Sequence, residues 1–556
     1  MFFGKVFFMF IRTKKTPRSK SISVQLVESF RDAGKIRQRV IHHFGTAETK
    51  EKLGALVQLA EAMKVDLKHR KLYKQKTYST KTYSVLGILQ EVAANKVITA
   101  NNLEELQRYT LGIHDVYGNV YDQLGFSNPF TYPARRAYAA KILREIVLAR
   151  IACPVSKRAS VAMLDNQFGI DIKLDNVYQM MDKIDDLFCD KIRDIALATT
   201  LKITSGKLRI LFYDATTLYF ESFSGDELKQ NGYSKDMKFN QPQVLLALLT
   251  TENGLPVGYE LFPGATYEGH TLIPALESLK KSYHIERLVF VADRGLLSDD
   301  NIKYLEENNF NYIVGARLKN LSKEAQKKIL DDSNYTVVDG KKIALFEHTH
   351  GRKLVVSYSS DRAKKDQLDR EKMITKLYEK LNKSENPKSL LSNYGYKKYI
   401  ELTGNAKIGI NEAKLKEDAK WDGLLGVITN VDKLSTEQIL ANYRSLWQIE
   451  ECFKINKHDL RMRPIYHWTP NRVKAHIAIS FIAFVCVRYL EYRLAVQSQK
   501  LSPEVIRSSL LQVQGSVIHD KKTDAKFLLP AKINQNAKEI YRVLSIKAPE
   551  KIMLIK

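Results

Sequence analysis

The alternation of hydrophobic and polar positions between residues 205 and 320 predicts one connected series of strands and helices. Three β-rich runs are followed by an amphipathic helix, a nearly continuous apolar strand, a second helix and a short strand. Three antiparallel strands and then helix, strand, helix, strand is the ribonuclease-H-like order, so we predict an α/β core. The predicted elements are 207–213, 243–250, 256–262, 270–283, 287–292, 298–308 and 312–316.

The patterns on either side of this series divide the rest of the chain. Alternating strands and a helix open the chain, and helical periodicity follows them. Mixed, charged material after the core series predicts an inserted β-rich domain, after which a buried strand and two helices return to the core. The predicted divisions are an N-terminal α+β region (1–80), a helical region (81–204), the first core part (205–320), the insertion (321–420), the second core part (421–500) and a C-terminal tail (501–556).

The longest apolar run, residues 477–487, is too short to span a bilayer and is followed at once by Arg488. It lies within a long predicted helix that begins after Thr469, a good N-cap, with Pro470 in the first helical position. We therefore predict a buried core helix and no membrane association.

The positive charge of the chain predicts a binding partner. The chain of 556 residues has a net charge of +26, and its first 80 residues carry 18 Lys and Arg against 6 Asp and Glu. Such a concentration of positive charge predicts a polyanionic partner, with nucleic acid ahead of an anionic membrane. A basic face that is merely solvated remains the alternative for this N-terminal region.

The four cysteines and the first residues point to a reducing cytoplasm. Cys153, Cys189, Cys452 and Cys486 are scattered, so neither a zinc site nor a disulfide framework is indicated. The apolar opening contains a lysine and lacks a small-residue cleavage site, so a signal peptide is not expected, and Met9 is an alternative start.

One predicted helix, opened by a capping box at Ser435 and about five turns long, carries an unusual stripe. At about 100° per residue, one narrow face holds Tyr443, Trp447, Glu450, Lys454 and Lys457, beside a separate apolar face. A carboxylate between aromatic and basic residues is typical of a metal ligand whose neighbours hold a phosphate. The alternative is a solvated face with an ion pair between Glu450 and Lys454.

Two aspartates are candidate metal ligands together with Glu450. Asp214 and Asp293 each end a predicted strand, and these two strands are neighbours in a sheet of this order. Two aspartates and a glutamate on a late helix would hold two divalent cations about 4 Å apart, the arrangement for in-line displacement at a phosphodiester. Each aspartate alone has a simpler interpretation as a turn residue.

These residues stand in motifs that resemble the DDE transposases of bacterial insertion sequences, in the group with a Tyr-Arg-Glu-Lys signature helix. The resemblance covers at least residues 205–480, and residues 10–125 are similar to N-terminal segments of the same transposases. The motifs are Tyr-Asp-Ala-Thr-Thr-Leu-Tyr-Phe at 213–220, Ala-Asp-Arg-Gly-Leu-Leu at 292–297, Tyr-x6-Glu-x6-Lys at 443–457, Arg-Pro-Ile-Tyr-His at 463–467 and Arg-Val-Lys-Ala-His at 472–476.

The resemblance implies that Asp214, Asp293 and Glu450 are the catalytic, metal-binding triad of a ribonuclease-H-like core, with two Mg²⁺ or Mn²⁺ ions. It also implies that Tyr443 and Lys457 contact DNA phosphates near the transposon end. The expected reaction is metal-dependent hydrolysis that frees a 3′-hydroxyl at each end of the element, followed by attack of that hydroxyl on target DNA.

The sequence departs from the signature at the arginine, whose position is occupied by Leu446. Arg444 lies two residues earlier and about 120° around a regular helix from Glu450, so it cannot simply take over the phosphate contact. Lys454, Arg294 and Arg472 are the candidates to supply that charge.

The partners implied by the resemblance are double-stranded DNA, both as terminal inverted repeats and as target, and a second copy of the chain in a synaptic complex. The expected location is the bacterial cytoplasm, at the nucleoid. Two alternatives stay open. One is a ribonuclease-H-like nuclease that cuts without strand transfer. The other is a DNA-binding transposase remnant whose catalysis has decayed, an alternative kept because Leu446 replaces the signature arginine.

Overall fold

A computed structural model gives the arrangement of the chain. It describes residues 8–15, 21–32, 35–72, 83–84, 87–91, 100–132, 136–206, 208–221, 224–233, 240–282, 288–296, 298–338, 340–383, 399–403 and 407–555.

A large mixed sheet, the main sheet, forms the centre of the molecule. Within the described ranges it contains nine strands. Their order across the sheet is Thr336–Val338, Lys341–Glu347, Lys353–Tyr358, Leu424–Thr429, Asn311–Gly315, Val289–Ala292, Ile210–Tyr219, Gln243–Thr251 and Pro256–Pro263.

The predicted strand series of the core is present in this sheet. Ile210–Tyr219, Gln243–Thr251 and Pro256–Pro263 pair antiparallel in sequence order. Val289–Ala292 then pairs parallel to Ile210–Tyr219 on its other side, and Asn311–Gly315 pairs parallel to Val289–Ala292. Helices Leu272–Ser282 and Asp299–Glu307 make the two crossovers. Gln243–Thr251 is buried along its whole length, as its unbroken apolar pattern requires of a strand covered on both faces.

The first part of the predicted insertion is not a separate domain. Its first three strands do not form a separate unit but extend the main sheet, because Lys353–Tyr358 pairs antiparallel with the core strand Leu424–Thr429. Outside the sheet, the same region contributes the small hairpin Ile400–Thr403 and Lys407–Ile410.

The long helix Pro470–Gln497 is the centre of the largest hydrophobic cluster. Thr469 caps it by accepting a hydrogen bond from the Arg472 amide, and the apolar run predicted to be buried is buried. The helix is long and apolar enough to cross a membrane by length and composition, and 89% of its most apolar window lies inside the protein.

The N-terminal region is a small sheet covered by a helix. In the described ranges its strands are Phe8–Lys15, Ile22–Asp32 and Lys35–Ala47, paired antiparallel in sequence order. Helix Lys50–Leu72 packs on them through Leu56, Leu59 and Ala60. The predicted strands and helix are therefore confirmed, whereas the first strand was not predicted.

A further sheet joins two regions that were predicted to be separate parts of the chain. Leu103–Thr110, from the region predicted to be helical, pairs with Gln514–Asp520 of the predicted tail. The remaining strands of this sheet in the described ranges are Ala525–Pro530, Met553–Ile555, Gly87–Glu91 and Tyr83–Ser84. Pairing across some 400 residues leaves no local signal in a sequence, which explains why neither the strand nor the pairing was predicted.

The other α-helices fill the space around the sheets. Those before the core are Asn119–Leu124, Ala137–Ala152, Lys157–Phe168, Leu174–Met181 and Asp186–Ile203. Those after it begins are Lys323–Leu330, Ser360–Lys383, Glu412–Ala419, Thr436–Arg444, Trp447–Lys454, Pro503–Leu511 and Gln535–Leu544.

We expect the stability of the protein to fall with pH partly through His42, which joins the N-terminal sheet to the long helix. Its ring is buried, lies 3.4 Å from the Gln497 amide oxygen and contacts the Ser545 hydroxyl. Burial, and next the charge of Arg493, lower the pKa of His42 to about 4. Between an unfolded pKa near 6.5 and about 4, the unfolded chain binds the extra proton, so stability is lost as pH falls through this window, by roughly 3 kcal/mol at most.

Thermal unfolding midpoints measured from pH 7 to pH 4 test this expectation. His42→Gln keeps a side chain that can bond to Gln497 but does not titrate, so its midpoint should fall less steeply than that of the wild type. Equal slopes in both proteins would show that His42 does not carry this part of the pH dependence.

Candidate active site

The two aspartates lie side by side on adjacent parallel strands: Asp214 lies within Ile210–Tyr219, and Asp293 directly follows Val289–Ala292. Tyr213 and Ala292 are paired in the register, so Asp214 and Asp293 occupy the next position on each strand. Side chains alternate along a strand, and Phe212 and Val291 point into the cluster that contains the long helix. Asp214 and Asp293 each lie two positions after these residues, so their side chains face the same side of the sheet. The predicted adjacency of the two strands is confirmed, whereas the prediction that Asp214 ends its strand is wrong, because that strand continues to Tyr219.

The glutamate comes from a helix that is shorter than predicted. The capping box at Ser435 is present, but the helix Thr436–Arg444 ends there, and a second helix, Trp447–Lys454, follows after a turn. A π-helical turn, Ile455–Asp459, succeeds it. The prediction of one regular helix of five turns is therefore wrong, because both the break and the π-turn change the angle between successive side chains.

Packing fixes the second helix across the sheet. Ile449, Cys452 and Phe453 are buried against the main cluster, and the Cys452 thiol lies 3.5 Å from the Gly254 carbonyl oxygen in the turn between two core strands. Since these three residues form the inner face, Glu450 points along the edge of the helix to the open side, where it is exposed.

All three acids line one open cleft of about 460 Å³, which we call the acidic cleft. Asp214 is half-buried, and Asp293 and Glu450 are exposed. Within the part of the chain that the structure describes, no three His, Cys, Asp or Glu side chains are grouped closely enough to hold an ion. The cleft therefore brings the predicted acids onto one surface without gathering them around one point.

Tyr443 is tied to one of the acids. Its hydroxyl donates a hydrogen bond to Asp293 Oδ1 at 3.2 Å. Burial raises the pKa of the Tyr443 phenol, and the negative charge of Asp293 raises it further, so the hydroxyl stays protonated and can donate. Gly315 makes the approach possible, because a Cβ there would lie 2.2 Å from the Tyr443 oxygen.

Two arginines on the cleft wall were not among the predicted contacts. Arg362, near the start of helix Ser360–Lys383, lines the acidic cleft, and Arg444 lines it too. The charge of Arg362 acts on Tyr443. The sequence argument against Arg444 assumed a regular helix to Glu450, and the break after Arg444 removes that premise. Arg362 gave no signal, since its segment was assigned to a separate insertion.

The basic residues predicted to contact DNA are spread more widely. Arg294 lines a neighbouring cleft of about 840 Å³, which shares Asp293, Arg362 and Tyr443 with the acidic cleft. Lys454 is exposed and 3.7 Å from Glu451, not paired with Glu450.

Two further predicted contacts lie away from the acids. Lys457 is half-buried in the π-helical turn. Arg472 donates two hydrogen bonds to Asp182, at 2.7 and 2.9 Å, and lies over the Tyr178 ring. Neither Lys457 nor Arg472 is among the described residues that line the acidic cleft.

The chemistry of the donors suits a hard divalent cation. Asp214, Asp293 and Glu450 offer only carboxylate oxygens, which are the ligands that Mg²⁺ and Mn²⁺ take. The cleft has no thiol or imidazole among its described lining residues, so its donor set differs from that of a zinc site.

Comparison with known proteins places these features in a family context. A family model described as a transposase DDE domain matches residues 205–486, about half of the chain. A model described as the N-terminal domain of IS1634 family transposases matches residues 11–75. No curated protein matches the chain.

Among solved structures, the chain is similar to a piggyBac transposase in a synaptic complex with hairpin DNA, with 9% sequence identity and a TM-score of 0.37. That match covers 72% of this chain and 76% of the other. A likeness this distant does not establish a shared fold.

Proposed function

Because the chain belongs to the DDE transposase family, its activity is DNA transposition, and we propose that the acidic cleft is where it cuts and joins DNA. The observation that carries this proposal is that Asp214, Asp293 and Glu450, from two adjacent strands and one helix, line a single cleft. The surrounding sheet, with three antiparallel strands followed by two parallel ones, is then a ribonuclease-H-like core.

Enzymes of this family generally use divalent metal ions. We propose two Mg²⁺ or Mn²⁺ ions, held by the carboxylates of Asp214, Asp293 and Glu450. When bound, such ions activate the attacking hydroxyl and stabilise the leaving oxygen. The residues of the chain have the other tasks: Tyr443 holds the Asp293 carboxylate by its hydrogen bond, and the apolar contacts of Ile449 and Phe453 hold Glu450 at the cleft.

The reaction has two steps at the same site. The oxygen of a water molecule attacks the phosphorus at the element end, the P–O3′ bond breaks, and a 3′-hydroxyl and a 5′-phosphate result. The freed 3′-hydroxyl then attacks a phosphorus of the target DNA and displaces a target 3′-oxygen. We propose that basic groups around the cleft hold the phosphates, among them Tyr443's neighbours Arg362 and Arg294, with Lys454 and Lys457 further along the helix.

The partners follow from the reaction. Two element ends must be held together with the target, so we propose a homodimer in a synaptic complex. The basic N-terminal region supplies positive charge for binding the terminal repeats, since phosphate contacts give affinity that does not depend on sequence. Arg472 would serve DNA only by leaving its ion pair with Asp182.

We propose that Arg362 supplies the charge that the family signature places at the position of Leu446. Arg362→Ala should slow cleavage at saturating DNA by about 10- to 100-fold, because the positive charge of Arg362 would no longer stabilise the reacting phosphate. Arg362→Lys should retain part of the activity because it keeps the charge but not the two-pronged geometry.

Lys364→Ala is the matched control for Arg362, since it removes an exposed cation from the same helix and is not among the described residues that line the acidic cleft. Equal rates for the Arg362→Ala and Lys364→Ala proteins would assign the charge elsewhere, with Arg444 the next candidate.

A strand-transfer assay tests the proposed function as a whole. Purified protein is mixed with labelled DNA carrying the ends of the element, a target plasmid and Mg²⁺, and joined products are measured. Transposition requires cut ends and joined products. Cut ends without joining would identify a nuclease, and binding without cutting would identify the decayed remnant that Leu446 permits.

A further inference from the structure

The sheet of the N-terminal region has one face that is packed against the rest of the protein. Side chains at directly paired positions lie on the same side of a sheet, and they alternate along each strand. Met9 and Leu26 point to helix Lys50–Leu72 and are buried with it in one cluster. His42, which is paired with Leu26, contacts Gln497 of the long helix. This side of the sheet, the covered face, therefore holds the N-terminal region on the protein.

The opposite side, which we call the outer face, is turned away from these contacts. Six of its side chains are Arg12, Lys14, Gln25, Ile36, Gln38 and Val40. Ile36 and Val40 are 71% and 47% exposed. Every residue of the segment 35–40 is exposed, whichever side it faces, so this end of the hairpin extends beyond the helix that covers the sheet.

The charge on the outer face is positive. Among the side chains described in these three strands, the one acid is Glu28, and it lies on the covered face. Glu28 is buried there and pairs with Arg39 at 2.6 Å. Arg12 and Lys14 thus lie on a side of the sheet whose described strand side chains include no carboxylate. A positive surface of this kind favours a polyanionic partner.

The polar groups of the outer face are ordered before any partner binds. The Arg12 guanidinium donates to Gln25 Oε1 at 2.7 and 3.1 Å and to Gln38 Oε1 at 3.4 Å. Because Arg12 takes the oxygen of both amides, their NH₂ groups are left to donate to a partner. Exposed Ile36 and Val40 flank Gln38 on the same strand, two positions away on either side.

We propose that the outer face lies in the major groove of the terminal-repeat DNA and reads its sequence. The major groove admits a two-stranded β-ribbon, and each base pair presents hydrogen-bonding groups there, with a methyl group on thymine. Gln38 would donate to base edges, Ile36 and Val40 would contact thymine methyl groups, and Lys14 would bind a phosphate. This inference rests on the proposed function, since it names the surface that recognises the ends to be cut.

Double-stranded DNA fits this surface better than a second copy of the chain does. Two outer faces placed against each other would bring Arg12 and Lys14 of both copies together with no described strand carboxylate between them, and like charges across an interface are unfavourable. The phosphates of DNA supply the missing negative charge.

The first test compares binding to a duplex carrying the terminal repeat with binding to a scrambled duplex of equal length. All proteins carry Glu450→Gln, so that cleavage plays no part. Gln38→Ala should lower the ratio of the two affinities by about 5- to 30-fold, the range for loss of one base contact. Its melting temperature should equal that of the parent protein, because Gln38 is exposed.

The second test separates the phosphate contact from base reading by its salt dependence. Lys14→Ala should lower the slope of log affinity against log salt by about 1 for both duplexes and leave their affinity ratio unchanged. Lys64→Ala is the matched control, since it removes a cation of the covering helix that pairs with Glu61 at 3.2 Å. Its slope should equal that of the parent protein.

The third test places the contact in the major groove. Uracil in place of thymine removes only the methyl groups that lie in this groove. The parent protein should bind the uracil-containing repeat about 3- to 10-fold more weakly than the thymine-containing repeat. The double variant Ile36→Ala with Val40→Ala should bind the two repeats equally.

The outcomes decide between DNA reading and its alternatives. An unchanged affinity ratio in Gln38→Ala, or an equal response to uracil in the parent and the double variant, overturns the proposal. A DNA-free dimer that Gln38→Glu converts to a monomer in sedimentation would assign the outer face to a second copy instead. A wild type that reads the repeat through this face but never cuts it would refute the proposed function and leave this surface standing.

Discussion

We expect Glu450→Gln to lower the rate of cleavage at the element ends by at least about 10³-fold while leaving DNA binding unchanged. The substitution keeps the size of the side chain and removes the negative charge that a divalent ion requires. Glu450 is exposed on the helix edge, so the fold does not depend on its charge. A loss confined to the chemical step would show that the helix supplies a metal ligand to the cleft.

Glu451→Gln is the matched control. It removes the same charge from the next position of the same helix, where Glu451 lies 3.7 Å from Lys454 and is not among the described residues lining the acidic cleft. Its cleavage rate should stay within about threefold of the wild type. Equal losses in both variants would mean that the helix needs negative charge in general and would remove Glu450 from the triad.

We expect Arg488→Ala to destabilise the protein by about 3–5 kcal/mol, the range measured when one partner of a buried ion pair is removed. Arg488 is buried in the long helix, pairs with Glu491 and donates hydrogen bonds to the carbonyl oxygens of Asn253 and Gly254, at 2.8 and 2.9 Å. Its loss leaves Glu491 buried without a partner. Thermal and denaturant unfolding would measure the change.

The double variant Arg488→Met with Glu491→Leu separates the pair from its surroundings. Replacing both ions by apolar groups of similar size removes the unpaired charge, so most of the stability should return. The Asn253 carbonyl oxygen would still lack its donor, and the Gly254 carbonyl oxygen would keep only the Cys452 thiol, which leaves about 1–3 kcal/mol uncorrected. A double variant as unstable as Arg488→Ala would place the effect in the turn contacts and not in the ion pair.

The strand order and the meeting of the two aspartates could be predicted from the sequence because both follow from local patterns. Nearly continuous apolar runs such as the one at 287–292 identify strands buried on both faces, and parallel pairing then places Asp293 beside Asp214. The N-cap at Thr469 and the capping box at Ser435 are local as well, and both are present.

The features that escaped prediction depend on contacts between distant segments. Arg362 reaches the cleft only because the strands before it extend the main sheet, and no local pattern distinguishes an extended sheet from an inserted domain. The turn after Arg444 lies in a sequence with regular helical periodicity, and packing on the sheet decides where that helix breaks.

Direct counting of bound Mn²⁺ by electron paramagnetic resonance tests the central claim, that Asp214, Asp293 and Glu450 together hold the metal. The protein is bound to DNA carrying pre-cut element ends, so that no reaction is needed for the measurement. We expect the wild type to bind two Mn²⁺ ions per chain and Asp293→Asn to lose at least one of them while retaining the DNA. Equal uptake of Mn²⁺ by both proteins, or cleavage by the wild type in excess EDTA, would contradict the account.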